Sequence, residues 1–194
     1  KTVFILMADS TENLLATILS RTQIVPVPPV EPAGVQQWLA GMQAQPDKVS
    51  DAVALCEGDL AKARRLVSED AAGEFAMFVD WMRTNFARDG RKATAMADAF
   101  HDLGREDQKQ FLAFALHMVR QCIVGNYGAA GAVKLRASER SFAEKFAPYI
   151  HHGNVVEMQA ELEKAARDVT GNVYGRTVFL DLSMKMMELL HRAR

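Results

Sequence analysis

Hydrophobic and polar positions along the chain follow three successive patterns. The first is a nearly continuous apolar run, Val3, Phe4, Ile5, Leu6 and Met7, which predicts a strand buried on both faces. A lone strand is not stable in water, so the run also predicts that the rest of a sheet precedes it. Residues 9–13 are polar and turn-like, and Leu14, Leu15, Ala16, Thr17, Ile18 and Leu19 then predict a short helix. Pro26, Pro28 and Pro29 confine residues 23–30 to an edge strand or an extended linker, as at a domain exit.

From residue 31 to about residue 72 the pattern changes to short helical segments. Three are predicted, at 32–42 with Val35, Trp38 and Leu39, at 48–56, and at 59–67. Pro32 suits a first helical turn and Gly58 a C-terminal cap. A longer helical region follows from residue 73. Phe75, Phe78, Val79, Met82 and Phe86 recur at the spacing of one helix face. Further faces are Met96, Phe100 and Leu103; Phe111, Phe114, Ala115, Met118 and Cys122; Phe142, Phe146 and Ile150; Val155, Met158 and Leu162; and Phe179, Leu182, Met186 and Leu189. Breaks are expected at residues 125–128 and 151–154. The expected fold is therefore mostly all-α: a short α/β remnant over 1–30, a three-helix unit over 31–72 and a helical bundle over 73–194.

Composition narrows the function classes. The chain of 194 residues is 49% hydrophobic and carries a net charge of −1, so no global field draws it to nucleic acid or membrane. No apolar run reaches the roughly 18 residues that a membrane helix needs, and a soluble, cytoplasmic protein is expected. Cys56 and Cys122 lie far apart in apolar surroundings, which suggests neither a disulfide framework nor a zinc site.

Chemistry enters at residues 14–23. The strand pattern, the polar turn and then Leu14, Leu15, Ala16, Thr17, Ile18, Leu19, Ser20, Arg21, Thr22 and Gln23 resemble the segment of AAA+ clamp-loader subunits that links the sensor-1 strand to a Ser-Arg-Cys motif. The resemblance implies that Arg21, with Ser20 beside it, acts in trans on ATP held by a neighbouring subunit, stabilising charge on the transferring phosphate. Without it, Arg21 reads as a C-terminal helix cap favourable to the dipole. Thr22 stands where the family has cysteine, Leu15 where it has proline, and neither Ala8 nor Asp9 supplies the sensor hydroxyl of hydrolysing relatives.

Ala54, Leu55, Cys56, Glu57, Gly58, Asp59, Leu60 and Ala61 resemble the lid turn at which ATPase relatives place a sensor-2 arginine. Ala61 occupies that place and offers no donor to a γ-phosphate. Arg64 and Arg65 stand one turn further on, as a compensating pair or as a solvated basic face. Residues 142–150, Asn154 and Val155, and then Gly171, Asn172, Val173, Tyr174, Gly175 and Arg176 leading into Phe179, resemble the collar of delta-prime subunits of the bacterial DNA polymerase III clamp loader, particularly those of Bacteroidetes type. In that family collars pack side by side in a ring, so the face of Leu182, Met186 and Leu189 is either core or subunit interface.

The resemblance thus implies a lid over 31–72, a collar over 73–194 and a delta-prime subunit that hydrolyses no ATP itself. Its partners would be the other loader subunits in a hetero-oligomeric ring and, indirectly, the sliding clamp and primer-template DNA. An ATPase-active subunit of gamma/tau type is the alternative within the family. A stand-alone helical adaptor, whose N-terminal strand joins a partner's sheet edge, is the alternative outside it. Elsewhere, residues 125–131 are glycine-rich without the Gly-Lys-Ser/Thr ending of a phosphate loop. His151 and His152 are adjacent and lack a completing ligand at metal spacing. Arg83, Arg88, Arg91 and Lys92 could meet a phosphate backbone, but Asp80 and Asp89 beside them favour a solvated loop.

Overall fold

The computed structural model describes residues 2–8, 11, 14–42, 44–67, 70–128 and 133–193, and of residues 47 and 70–72 the backbone alone. Among the described residues there are ten α-helices: α1 (Ala16–Leu19), α2 (Pro32–Gly41), α3 (Pro46–Leu55), α4 (Leu60–Val67), α5 (Asp70–Phe86), α6 (Gly90–Asp102), α7 (Arg105–Asn126), α8 (Ala137–Phe146), α9 (Val155–Thr170) and α10 (Gly175–Leu189). A 3-10 turn, Ala147–Tyr149, follows α8.

The strand expected at residues 3–7 does not form. Residues 2–8 form neither helix nor strand, with Val3 83% and Phe4 86% exposed. A strand's N–H and C=O groups need a partner strand, and among the described residues there is none. The α/β remnant expected over 1–30 is thus an arm carrying one four-residue helix, α1, in which no residue is buried. Most of the polar turn expected at 9–13 lies outside the described residues.

Two hydrophobic clusters form beyond the arm. The smaller unites Val35 and Leu39 of α2, Ala52 of α3, Cys56, and Ala63 of α4. Pro32 and Pro46 open α2 and α3 at positions where a missing N–H costs nothing. Between α3 and α4 the chain turns through two left-handed residues, Glu57 at φ 56° and Gly58 at φ 83°. Glycine is required at the second: a Cβ on Gly58 would lie 2.6 Å from Pro29 Cβ and 2.6 Å from the Val30 carbonyl oxygen. The approach is that close because Val30 N–H donates to the Gly58 carbonyl at 3.0 Å, which seats the end of the arm on this turn.

The larger cluster joins α5 to α10. α7 runs against α9, and α10 packs on α5, α6 and α9. Its centre is aromatic: Phe78, Trp81, Phe100, Phe111 and Phe179 are all essentially buried. Their rings meet edge-on or offset, Trp81 to Phe111 at 5.7 Å and Phe100 on Phe179 at 4.4 Å, contacts that add about 0.5–1.5 kcal/mol each beyond area burial. Trp81 Nε1 donates to Ser183 Oγ at 2.8 Å, and Ser183 Oγ donates to the Phe179 carbonyl at 2.7 Å, so neither core polar group is left unpaired.

Amide side chains close the helix ends. Gln108 Nε2 lies within hydrogen-bond reach of the carbonyls of Phe100, His101 and Leu103 at the C-terminal end of α6. Asn154 Nδ2 donates to Tyr149 and Leu189 carbonyls while its Oδ1 accepts from His151 N–H at 2.9 Å. Asn126 Nδ2 donates to the Ala147 and Ile150 carbonyls. The Leu182, Met186 and Leu189 face is buried within the bundle.

Along α5 the buried stripe differs from the one expected. Phe78 and Met82 are buried, but so are Trp81 and Asn85, while Phe86 is 44% exposed. The stripe turns by one residue toward α10, where Trp81 finds its serine. Asn85 then occupies the last buried position, and its amide nitrogen and oxygen have no partner among the described residues.

Candidate functional site

The resemblance marks the end of α1, and the local chemistry there is that of a short helix with hydroxyl caps. Ser20 Oγ donates to the Thr17 carbonyl at 3.2 Å, and Thr22 Oγ1 donates to the Ile18 carbonyl at 2.9 Å. Backbone bonds from Ser20 N–H to Ala16 and from Arg21 N–H to Ile18 complete the turn. Threonine at position 22 thus adds a hydroxyl donor to the last carbonyls of a very short helix.

Arg21 stands between these two caps. Its side chain is exposed and makes no ion pair or side-chain hydrogen bond with any described residue. A free guanidinium of this kind can meet a phosphate or carboxylate bidentately. Neither Arg21 nor any other residue before Val35 belongs to either hydrophobic cluster. Ala8 is exposed, and Asp9 lies outside the described residues.

Ala61, Arg64 and Arg65 lie together, apart from Arg21. They line a groove of about 870 Å³ between α4 and the bundle, with Lys62 and Asp59 on the same wall, Glu74 and Asp107 on the other, and Met77, Leu103 and Phe111 at its base. Cations and carboxylates both line the groove, so it carries no single sign of charge. Ala61 contributes only a methyl group.

A junction that sequence reasoning missed ties the helical units to one another. Lys134 Nζ forms an ion pair with Glu57 of the left-handed turn, which holds the Glu57 carboxyl below its usual range. The Lys134 backbone is fixed by α7: its N–H donates to Gln121 Oε1 at 2.7 Å, and its carbonyl accepts from His117 Nε2 at 3.0 Å. His117 is held below the ordinary histidine value, chiefly because burial disfavours its charged form, with the Lys134 carbonyl opposing. Nothing in the sequence pattern connects Glu57 to a lysine 77 positions away.

Cys56 and Cys122 are buried free thiols, one in each cluster. Burial pushes the Cys122 thiol up to about 12, so it stays protonated. His151 and His152 stack edge-on, and His151 N–H and ring serve the loop into α9. Among the described residues no group of three His, Cys, Asp or Glu side chains could hold a metal ion, and no helix is long and apolar enough to cross a membrane. Ala129, Ala130 and Gly131 of the glycine-rich stretch lie outside the described residues.

Comparison with protein-family models, with curated proteins and with solved structures finds no match to this chain.

Proposed function

We propose that this chain is a clamp-loader subunit of the delta-prime type, acting in DNA replication in the cytoplasm, which supplies Arg21 in trans to an ATP site on a neighbouring subunit. The observation that carries the proposal is the unengaged guanidinium of Arg21, exposed between two hydroxyl caps on an arm that belongs to neither core. The Ser-Arg context around it resembles the clamp-loader motif. In this reading α2 to α4 form the lid and α5 to α10 the collar, and ATP is held by neighbours rather than by this chain. The alanine at position 61 supports a non-hydrolysing subunit over a gamma/tau-type ATPase. Ring partners position the chain, and the sliding clamp and primer-template DNA are reached through them.

The test is DNA-stimulated, single-turnover ATP hydrolysis by the cognate loader reconstituted with either Arg21 or Arg21→Ala, its assembly checked by gel filtration. Loss of a finger costs roughly 10³-fold at the one site it serves, so that site's share of the burst is expected to vanish from an intact complex. An unchanged burst overturns the role of Arg21. The adaptor reading draws on the exposed residues 2–8, which could add to a partner's sheet edge. It is favoured if no ring forms and Arg21→Ala changes no ATPase rate.

A further inference from the structure

In the sequence, Asp80 and Asp89 beside Arg83, Arg88 and Arg91 favour charge cancellation, but in the fold neither carboxylate forms an ion pair with these three arginines. Lys92 Nζ pairs with Asp80 at 2.6 Å. Asp89 Oδ1 accepts the Lys92 backbone N–H at 2.9 Å as the cap of α6. Arg83, Arg88 and Arg91 are exposed and make no ion pair with any described residue. Glu157 and Glu188 are both engaged by Arg192.

Beside these cations stands aromatic surface. Phe86 follows Arg83 by three residues on α5, a spacing that puts them side by side on the helix. Phe86 is 44% exposed and Tyr149 42% exposed, with ring centroids 4.9 Å apart. Phe86 also stacks on His191 at 5.3 Å and 19°, and His191 Nδ1 is in turn bonded to the Met187 carbonyl at 2.8 Å. The C-terminal ends of α5 and α10 and the 3-10 turn thus meet in one aromatic corner flanked by unpaired guanidinium groups.

Free cations alone would suit any polyanion, and half-exposed rings alone any apolar partner. A single-stranded nucleic acid presents both complements at once: phosphates in series and unpaired bases with open π faces. A duplex keeps its bases stacked inside and offers only the phosphates. We propose that this corner binds single-stranded nucleic acid, with phosphates on Arg83, Arg88 and Arg91 and bases stacked against Tyr149 and the edge of the Phe86–His191 pair. The proposal is independent of Arg21 and of the delta-prime reading.

Fluorescence anisotropy of a labelled oligo(dT) of roughly twelve nucleotides, within the usual site size, tests it on the chain itself. Saturable binding is expected, with an abasic oligomer of the same length and a duplex each held roughly tenfold more weakly. Tyr149→Leu, which keeps an apolar side chain, is expected to weaken oligo(dT) binding and leave the abasic oligomer unchanged. Arg83→Gln combined with Arg88→Gln, both on the surface and checked for helicity by circular dichroism, is expected to flatten the slope of log affinity against log salt by about 1.4. Equal binding of the abasic oligomer or the duplex, or an unchanged salt slope in the double variant, overturns the proposal.

Discussion

Phe78, Trp81 and Phe100 are fully buried in the bundle, whereas Val3, Phe4 and Ile5 in the arm are each more than 80% exposed. Both regions are strongly apolar. What separates them is where the backbone hydrogen bonds go. Each bundle helix satisfies its own N–H and C=O groups and needs neighbours only for one face. The arm's exposed residues leave theirs to water, and burying them would require another strand to replace that water. Equal hydrophobicity therefore gives a self-sufficient core in one region and an unmet requirement in the other.

Paired substitutions should break this symmetry most sharply. Trp81→Ala empties the centre of the aromatic cluster and removes the donor to the Ser183 hydroxyl, and is expected to cost about 3–5 kcal/mol in chemical denaturation. Phe4→Ser, at an equally apolar position, is expected to change stability by less than about 0.5 kcal/mol. A comparable loss from Phe4→Ser would mean that the arm packs on the chain after all.

Gly58→Ala tests a place where the arm touches the helical units. Alanine there meets both a left-handed backbone and contacts at 2.6 Å, so a loss of about 1–3 kcal/mol is expected. It should appear as faster hydrogen exchange in α3 and α4 and as new proteolytic cleavage near residues 26–30. The bundle amides should keep their protection.

The smallest expected effect is a pH dependence at the junction between α7 and Lys134. His117 has its folded pKa below the unfolded value, mainly through burial. The unfolded chain therefore takes up more protons as pH falls through about 6.5, and stability falls with it; above that value both states are neutral and the contribution disappears. His117→Gln is expected to lose less stability than the wild type between about pH 7 and pH 5, read as a smaller drop in denaturation midpoint.

Much of the fold is legible in the sequence because helical periodicity is a local signal. The segments expected at 32–42, 48–56 and 59–67 correspond to α2, α3 and α4 with ends within two residues. Expected breaks at 125–128 and 151–154 fall where α7 ends and where α9 is about to begin. The strand fails because periodicity reports what a segment could bury, not whether anything is there to bury it. The stripe expected along α5 lies one residue off because its true members include Asn85, and no hydrophobic pattern marks a buried polar residue. At the candidate site, Ser20 and Arg21 are visible as a motif, while the hydroxyl bonds beside them depend on backbone geometry. Glu57 and Lys134 carry no such trace, since an ion pair between distant segments is set by tertiary packing alone.

The two left-handed residues between α3 and α4 also have a mechanical consequence. The arm holds the Gly58 carbonyl through Val30, and the bundle holds the adjacent Glu57 carboxylate through Lys134. A tug on the arm is therefore delivered to two adjacent residues, and from there reaches α7 through a lysine whose backbone is clamped by Gln121 and His117. The turn thus carries, on two adjacent residues, one hydrogen bond toward the arm and one surface ion pair toward the bundle.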